Sequence, residues 1–399
     1  MIPRIRNEFN ATFKQSYYEN LLQHIIDRYK EPSAFRISET PVFISKEVKA
    51  QVDAACTAII EQLWNIDFQE IRRKFIPKEL QSPVPMGNPH FLAIDFGLCE
   101  DGKGGITPQL IELQAFPTLF FYQPFLGESF LKYYPNMPQE GFDYYLNGLN
   151  KKTYTEKVKH VILGNEQPEN VILLELFPEK QKTRIDFWST KEALGIEIVC
   201  MTKVIKEGRK LFYRNKDGEK TAIQRIYNRV IYDELERIQD LKTSFNLNDD
   251  LDVEWVTHPD WFFMISKCIM PLLEHKNIPK SYYLTDYPVD LDLKKYVLKP
   301  LFSFAGQGIN LHPNQETIEA IKDKQNYILQ QKVAYAPLIK TNTAKNSKVE
   351  LRMLFVWDDE KDRLEPVINL TRMSKGEMIN VSHQVDETWI GSSISFFEL

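Results

Sequence analysis

A lysine delivered by an apolar run and followed by closely spaced glycines has the clearest chemistry in this sequence. It occurs in YVLKPLFSFAGQGINL, residues 296–311, where Lys299 precedes Gly306 and Gly308. Small residues let backbone N–H groups close on phosphate oxygens, and an ammonium adds a point charge. An ordinary glycine hairpin with a surface lysine has the same pattern. No GK[ST] follows, so this is not a Walker loop.

A second set is acidic. Asp95 interrupts FLAIDFGL, Glu112 interrupts QLIEL, and Gln114 lies two residues further on. Strand period 2 puts Glu112 and Gln114 on one face. A carboxylate inside an apolar strand is costly unless something pairs with it. Mg²⁺ takes carboxylate and amide oxygens and shares its remaining positions with phosphates. Asp95, Glu112 and Gln114 are therefore candidate metal ligands, against the plain alternative of acids facing solvent. A third set is basic: Arg225, Arg229, Lys267, Arg352 and Arg372. Lys267 sits inside the apolar FFMISKCIM, and Arg352 and Arg372 sit inside strand-like runs. Arginine in a strand can clamp a carboxylate or phosphate through two bonds, and structural ion pairs are the bland alternative for each.

Other chemistries lack their residues. His258 and His383 stand alone, with no HExxH and no Cys/His cluster, so no zinc site is expected. GxSxG, the HRD and DFG pair, and a GxGxxG opening a helix are all missing. Cys56, Cys99, Cys200 and Cys268 lie far apart without a CxxC, which argues for a reduced, cytoplasmic protein. With 50 basic against 55 acidic residues and a net charge of −5, a generic nucleic-acid binder is not expected. No apolar run approaches the roughly 18–20 residues of a membrane span, and the N-terminus has no signal-like apolar core.

These residues need elements to hold them. A chain of 399 residues with 43% hydrophobic and 26% charged residues implies two or three globular domains. The first 80 residues read as mostly helical, with helical spacing over 46–74. FLAIDFGL and QLIEL form an antiparallel hairpin around the turn-rich CEDGKGGITP, followed by a Phe- and Tyr-rich stretch. In the middle, HVILG (160–164) and NVILLEL (170–176) read as buried strands. A helix over 184–195 stops at Gly195, and IEIVCMT is the next strand. This alternation predicts a parallel sheet. A charged hairpin over 206–230 leads into another strand. Further on, WFFMISKCIMPLLEHK is apolar at helical spacing. KKYVLKPL and NYILQQKV are strands, and KVELRMLFVWDD pairs with LEPVINLTRMS. The divisions expected are 1–155, 156–260 and 261–399.

Together and in order, these pieces resemble the circularly permuted ATP-grasp family, in the form of glutathionylspermidine synthase-like synthetase domains. The resemblance implies an α/β (α+β) fold, with the hairpin of residues 1–155 carrying Mg²⁺ on Asp95, Glu112 and Gln114. Residues 156–260 are then the substrate-side α/β domain, and 261–399 the ATP-binding region. Lys267 and Lys299 would contact ATP phosphates under the Gly306–Gly308 loop, and Gln330 and Gln331 would border the adenine. Arg372 and Arg352 would stabilise the transferred phosphoryl group, and Arg225 or Arg229 would hold a substrate carboxylate. The implied activity is ligation of a small-molecule or peptide carboxylate to an amine through an acyl phosphate. Two positions depart from the family: Gln114 stands where relatives have Asn, and Ala93 where the ligase has an arginine. They motivate the alternative of a nucleotide-binding homologue without ligase activity.

Overall fold

The computed structural model describes residues 2–303, 306–377, 379 and 387–399. His383 and two residues of the glycine-loop sequence, 304 and 305, lie outside that set. From the N-terminus, α1 (Pro3–Thr12) and α2 (Gln15–Tyr29) precede β1 (Val42–Ile44), α3 (Lys46–Leu63) and α4 (Phe68–Phe75). A hairpin of β2 (Phe91–Glu100) and β3 (Ile106–Gln114) leads to α5 (Tyr122–Tyr133) and β4 (Phe142–Asp143). The middle runs through α6 (Lys151–Leu163), β5 (Val171–Glu175), α7 (Arg184–Leu194) and β6 (Glu197–Cys200). It continues with β7 (Ile205–Glu207), β8 (Lys210–Arg214), β9 (Lys220–Ile223), β10 (Arg225–Asn228), α8 (Tyr232–Arg237) and β11 (Glu254–Val256). Then come α9 (Trp261–Met264), β12 (Ser281–Tyr283), β13 (Tyr296–Pro300), α10 (Gln315–Ala320) and β14 (Tyr327–Gln331). The chain closes with β15 (Lys348–Asp358), β16 (Arg363–Ser374), β17 (Gly391–Ser393) and β18 (Ser395–Glu398).

The fold is mixed α/β with several sheets. Its centre is an antiparallel five-stranded sheet, ordered β17-β16-β15-β2-β3. The sequence hairpin and the late strand pair meet in it, because β15 lies antiparallel to both β16 and β2. Beside it stands the parallel sheet β11-β10-β5-β6, with α7 crossing from β5 to β6. The third sheet that matters for the site is β12-β14-β13. Among the described residues no helix is long and apolar enough to cross a membrane.

Two local expectations are corrected. HVILG is not a strand but the end of α6. Asn150 caps that helix in a capping box with Thr153, and Tyr154, Val158, Val161 and Ile162 bury one helical face before Gly164 ends it. A short apolar run is compatible with either period, and the cap decides it here. The WFFMISKCIM segment is not one helix either. α9 ends at Met264, Ser266 is extended, and its hydroxyl accepts the Cys268 N–H at 3.3 Å. Lys267 therefore starts a separate 3₁₀ turn, Lys267–Leu272, with Pro271 inside it.

Candidate active site

Residues directly opposite each other in an antiparallel sheet share a face. The central sheet thereby carries two side-chain rows across its strands. One runs Leu370, Arg352, Asp95, Glu112; the next runs Ser392, Arg372, Glu350, Gly97. Charge of both signs is thus concentrated on one face, and that face floors a cleft of about 1090 Å³. Gln114 and Arg229 line the same cleft, as do Lys299, Gly306, Gln330, Gln331 and Tyr335 from the other walls.

Asp95 is 1% exposed, and both of its oxygens are taken. Arg352 donates Nε to Oδ1 at 2.5 Å and Nη2 to Oδ2 at 2.6 Å. Arg372 donates to Oδ2 at 2.8 Å and also binds Glu350. Glu350 accepts from the Tyr335 hydroxyl at 3.1 Å. Tyr335 reaches it by lying against Gly97, where a Cβ would come within 2.6 Å of the ring. Burial pushes the Glu350 carboxyl up, against the pull of Arg372. The two arginines are thus fixed from behind by carboxylates, which settles their geometry before any ligand arrives.

Glu112 differs. Its neighbours are Lys267 and Arg352, each at 3.7 Å, beyond hydrogen-bond reach. Burial alone would raise its carboxyl, but Lys267, Arg352, Arg372 and Lys299 together hold it at about 2. Its aim comes from a β-bulge. Asp95 pairs with Glu112 and Phe96 with Leu110, so Ile111 is the extra residue on β3. A bulge frees a backbone group and re-aims the strand. The freed Ile111 carbonyl accepts Lys299 Nζ at 3.0 Å. Burial lowers the Lys299 ammonium to about 8, with Glu112 opposing that fall.

The remaining wall is docked onto β3. Gln330 donates to the Leu110 carbonyl at 3.1 Å, holding β14 there. Lys267 donates to the Ser303 carbonyl at 2.6 Å, at the start of the glycine loop. Gly306 and Gly308 have φ of 76° and 70°, in the left-handed region. A Cβ on Gly308 would also lie 2.8 Å from Pro300. The loop then returns to β13, where Leu298 and Asn310 exchange backbone hydrogen bonds at 2.9 Å.

Arg225 and Arg229 part company. Arg225 donates to the carbonyls of Ile162 at 2.9 Å and Val161 at 2.9 Å, and pairs with Glu254. It closes the C-terminus of α6 and does not line the cleft. Arg229 does, with its guanidinium 5.0 Å from the Phe116 ring and 5.5 Å from Phe187. It is 4% exposed, and its Nε and Nη1 have no hydrogen-bond partner.

The residues that could hold a magnesium ion are Glu112 and Gln114. They lie two apart on β3 and both open to the cleft, whereas Asp95 has no oxygen to spare in this arrangement. Mg²⁺ commonly uses only one or two carboxylates and takes its other ligands from phosphates and water, so the pair fits. Among the described residues no group of three or more His, Cys, Asp and Glu side chains is placed to hold a metal by itself.

Three cleft residues were missed from sequence. Glu350 carried a signal, being an acid two residues before Arg352 in an apolar strand. Tyr335 carried none. Ser392 lies in register beside Arg372, and its hydroxyl and the Arg372 Nε are both buried without a partner. Four cations, Lys267, Lys299, Arg352 and Arg372, face three carboxylates, Asp95, Glu112 and Glu350. The surplus is positive, as a site for a polyanion needs.

No family's sequence profile matches this chain. In three dimensions it is similar to a glutathione synthetase-like effector from Globodera pallida, solved in its apo form. The two share 10% sequence identity over 98% of this chain and 99% of that one, with a TM-score of 0.56. That likeness is one of fold.

Proposed function

We propose that the cleft is the active site of an ATP-dependent carboxylate–amine ligase with a circularly permuted ATP-grasp architecture. The observation that carries this reading is the convergence of Lys299, Arg352, Arg372 and Glu112 on one cleft that Gly306 also lines, with Lys267 3.7 Å from Glu112. Ligases of this class transfer a terminal phosphoryl group to a carboxylate and then pass the acyl group to an amine, releasing phosphate. The protein's part is positioning and neutralisation of charge.

Lys299 and Lys267 grip phosphate oxygens, and the glycine loop covers them and excludes water. Gln330, Gln331 and the strand they lie on border the base. Arg352 and Arg372 stabilise the group in transfer, held in place by Asp95 and Glu350. Glu112 and Gln114 would hold a magnesium ion, which would supply neutralisation of phosphate charge. Asp95 acts in this scheme as the anchor of the arginines rather than as a direct metal ligand. Arg229 faces the acid substrate.

The test is phosphate release from Mg·ATP by the full-length protein, with and without pooled acids and amines. Turnover that requires both pools is expected. A rise in melting temperature with Mg·ATP, which binding to the folded state must produce, without acid-dependent turnover would replace this reading with a second one. That second reading is a nucleotide-binding homologue that does no ligation. Ala93 favours it, being buried opposite Leu354 and Gln114 where the resembling ligases have an arginine.

A further inference from the structure

The polar floor is only part of the cleft's lining. A further stretch of wall comes from the N-terminal helix α2, which the proposed chemistry does not use. On α2, Leu21 and Ile25 turn into the core and are fully buried. Leu22 and Ile26, four residues apart, form a second ridge on the same helix and line the cleft half-buried. Phe35, Ile37 and Leu119 continue that apolar wall.

This wall is close to the arginines. Ile37 pairs with Ser392, and Ser392 pairs with Arg372. Two strand spacings, about 10 Å, therefore separate Ile37 at the end of the wall from Arg372. On this side of the cleft stands Arg229, packed against Phe187 of α7, with two buried nitrogens that lack partners. The carboxyls of Glu175 and Asp186 are the acidic groups that act on Arg229, but an apolar surface beside guanidinium N–H donors left without partners still accepts an anion with an apolar body.

We propose that the acid taken by this cleft carries an aliphatic or aromatic body that lies on the Leu22–Ile26 ridge while its carboxylate reaches Arg372. This rests on the ligase reading and narrows it from carboxylates in general to amphipathic ones. Small polar acids would leave the ridge wet.

The experiment uses the full-length protein with Mg·ATP, hydroxylamine as a general amine, and unbranched monocarboxylates from acetate to octanoate. The same acids are titrated by calorimetry without nucleotide. Burying each methylene on the ridge should raise kcat/KM about four-fold, with a parallel rise in affinity. Ile26→Ser should reduce that increment to about two-fold or less; Leu22→Ser reads the same quantity if the first variant does not fold. Turnover that is flat with chain length, or best with the shortest acid, overturns the apolar subsite and leaves the ligase reading standing. Affinity that climbs with chain length while no acid supports turnover overturns the ligase reading and leaves the subsite standing.

Discussion

Arg352 lies directly opposite Asp95 on the neighbouring antiparallel strand and grips both of its carboxylate oxygens, at 2.5 and 2.6 Å. The pair is buried, so each charge depends on the other. Arg352→Ala leaves Asp95 with Arg372 alone, and should destabilise the fold by about 3 kcal/mol, the lower part of the range for breaking a buried pair. Urea unfolding measures this. Asp95→Asn combined with Arg352→Met should cost less than the two single changes summed, because both charges leave together. Additive losses would mean that the pair is not coupled.

Glu112 makes no hydrogen bond but sits among cations that favour its charge, so Glu112→Gln should cost on the order of 3 kcal/mol at neutral pH while the variant still folds. Its folded carboxyl is held at about 2, below the ordinary 4.5, by Lys267 and its fellow cations working against burial. Its contribution is therefore complete above about pH 4.5 and is lost as pH falls toward 2. The variant should show a shallower acid-unfolding slope across that window, together with loss of magnesium-dependent turnover. Unfolding of the variant at neutral pH would make Glu112 a structural residue.

Much of this arrangement was legible in the residues, and what escaped did so for identifiable reasons. The Phe91–Glu100 and Ile106–Gln114 hairpin and the pairing of β15 with β16 were legible because each strand is an apolar run bounded by turn residues. The lysine–glycine loop was visible because glycine at positive φ has few substitutes. Which cation sits opposite Asp95 was not visible. That depends on the register between strands more than 250 residues apart in sequence, and no local pattern encodes it. The bulge at Ile111 was hidden for the same reason: one extra residue leaves no mark on composition. Arg225 and Arg229 looked equivalent in RIYNRV, but β10 ends at Asn228. The first points from the strand onto helix carbonyls, and the second leaves the strand for the cleft.

Lys299 should report nucleotide binding through protons. Burial lowers its ammonium to about 8, and phosphate oxygens beside it would restore the charge. Binding of Mg·ATP should therefore take up about half a proton at pH 8, rising toward one at pH 9, and affinity should fall as pH rises through 8. Calorimetry in buffers of different ionisation enthalpy measures the uptake. Lys299→Arg, which stays charged, should abolish it. Equal uptake in parent and variant would place the proton elsewhere.

Ala93 is not an open slot for the arginine found in the resembling ligases. It is fully buried among the aromatic residues around Phe91 and Phe120, opposite Leu354. Ala93→Arg would overpack that cluster and strand a charge, so destabilisation of about 3 kcal/mol or more is expected, with no gain in turnover. A stable variant with higher activity would show that the sheet can open there.

Arg229 separates binding from stability most sharply. Its Nε and Nη1 are buried without partners, a state that costs about 1–3 kcal/mol in desolvation, and its flanking contacts are two aromatic faces. Arg229→Met keeps the packing against Phe116 and Phe187 and removes the unsatisfied donors. Unfolding free energy at pH 7 should therefore stay within about 1 kcal/mol of the parent, while affinity for the acid substrate drops about ten-fold or more. A pH series adds a second reading. Burial pushes the nearby Glu175 carboxyl up to about 8, even with Arg229 pulling it down. The folded state then holds a proton that the unfolded chain has released, so stability falls as pH rises from about 4.5 through 8. Without the guanidinium, Glu175 ionises later still, and the decline should extend above pH 8 in the variant. Weak acid binding with unchanged stability and an extended decline places Arg229 in the substrate site. A large loss of stability at pH 7 with normal acid binding would make it a structural cation of the α7 wall.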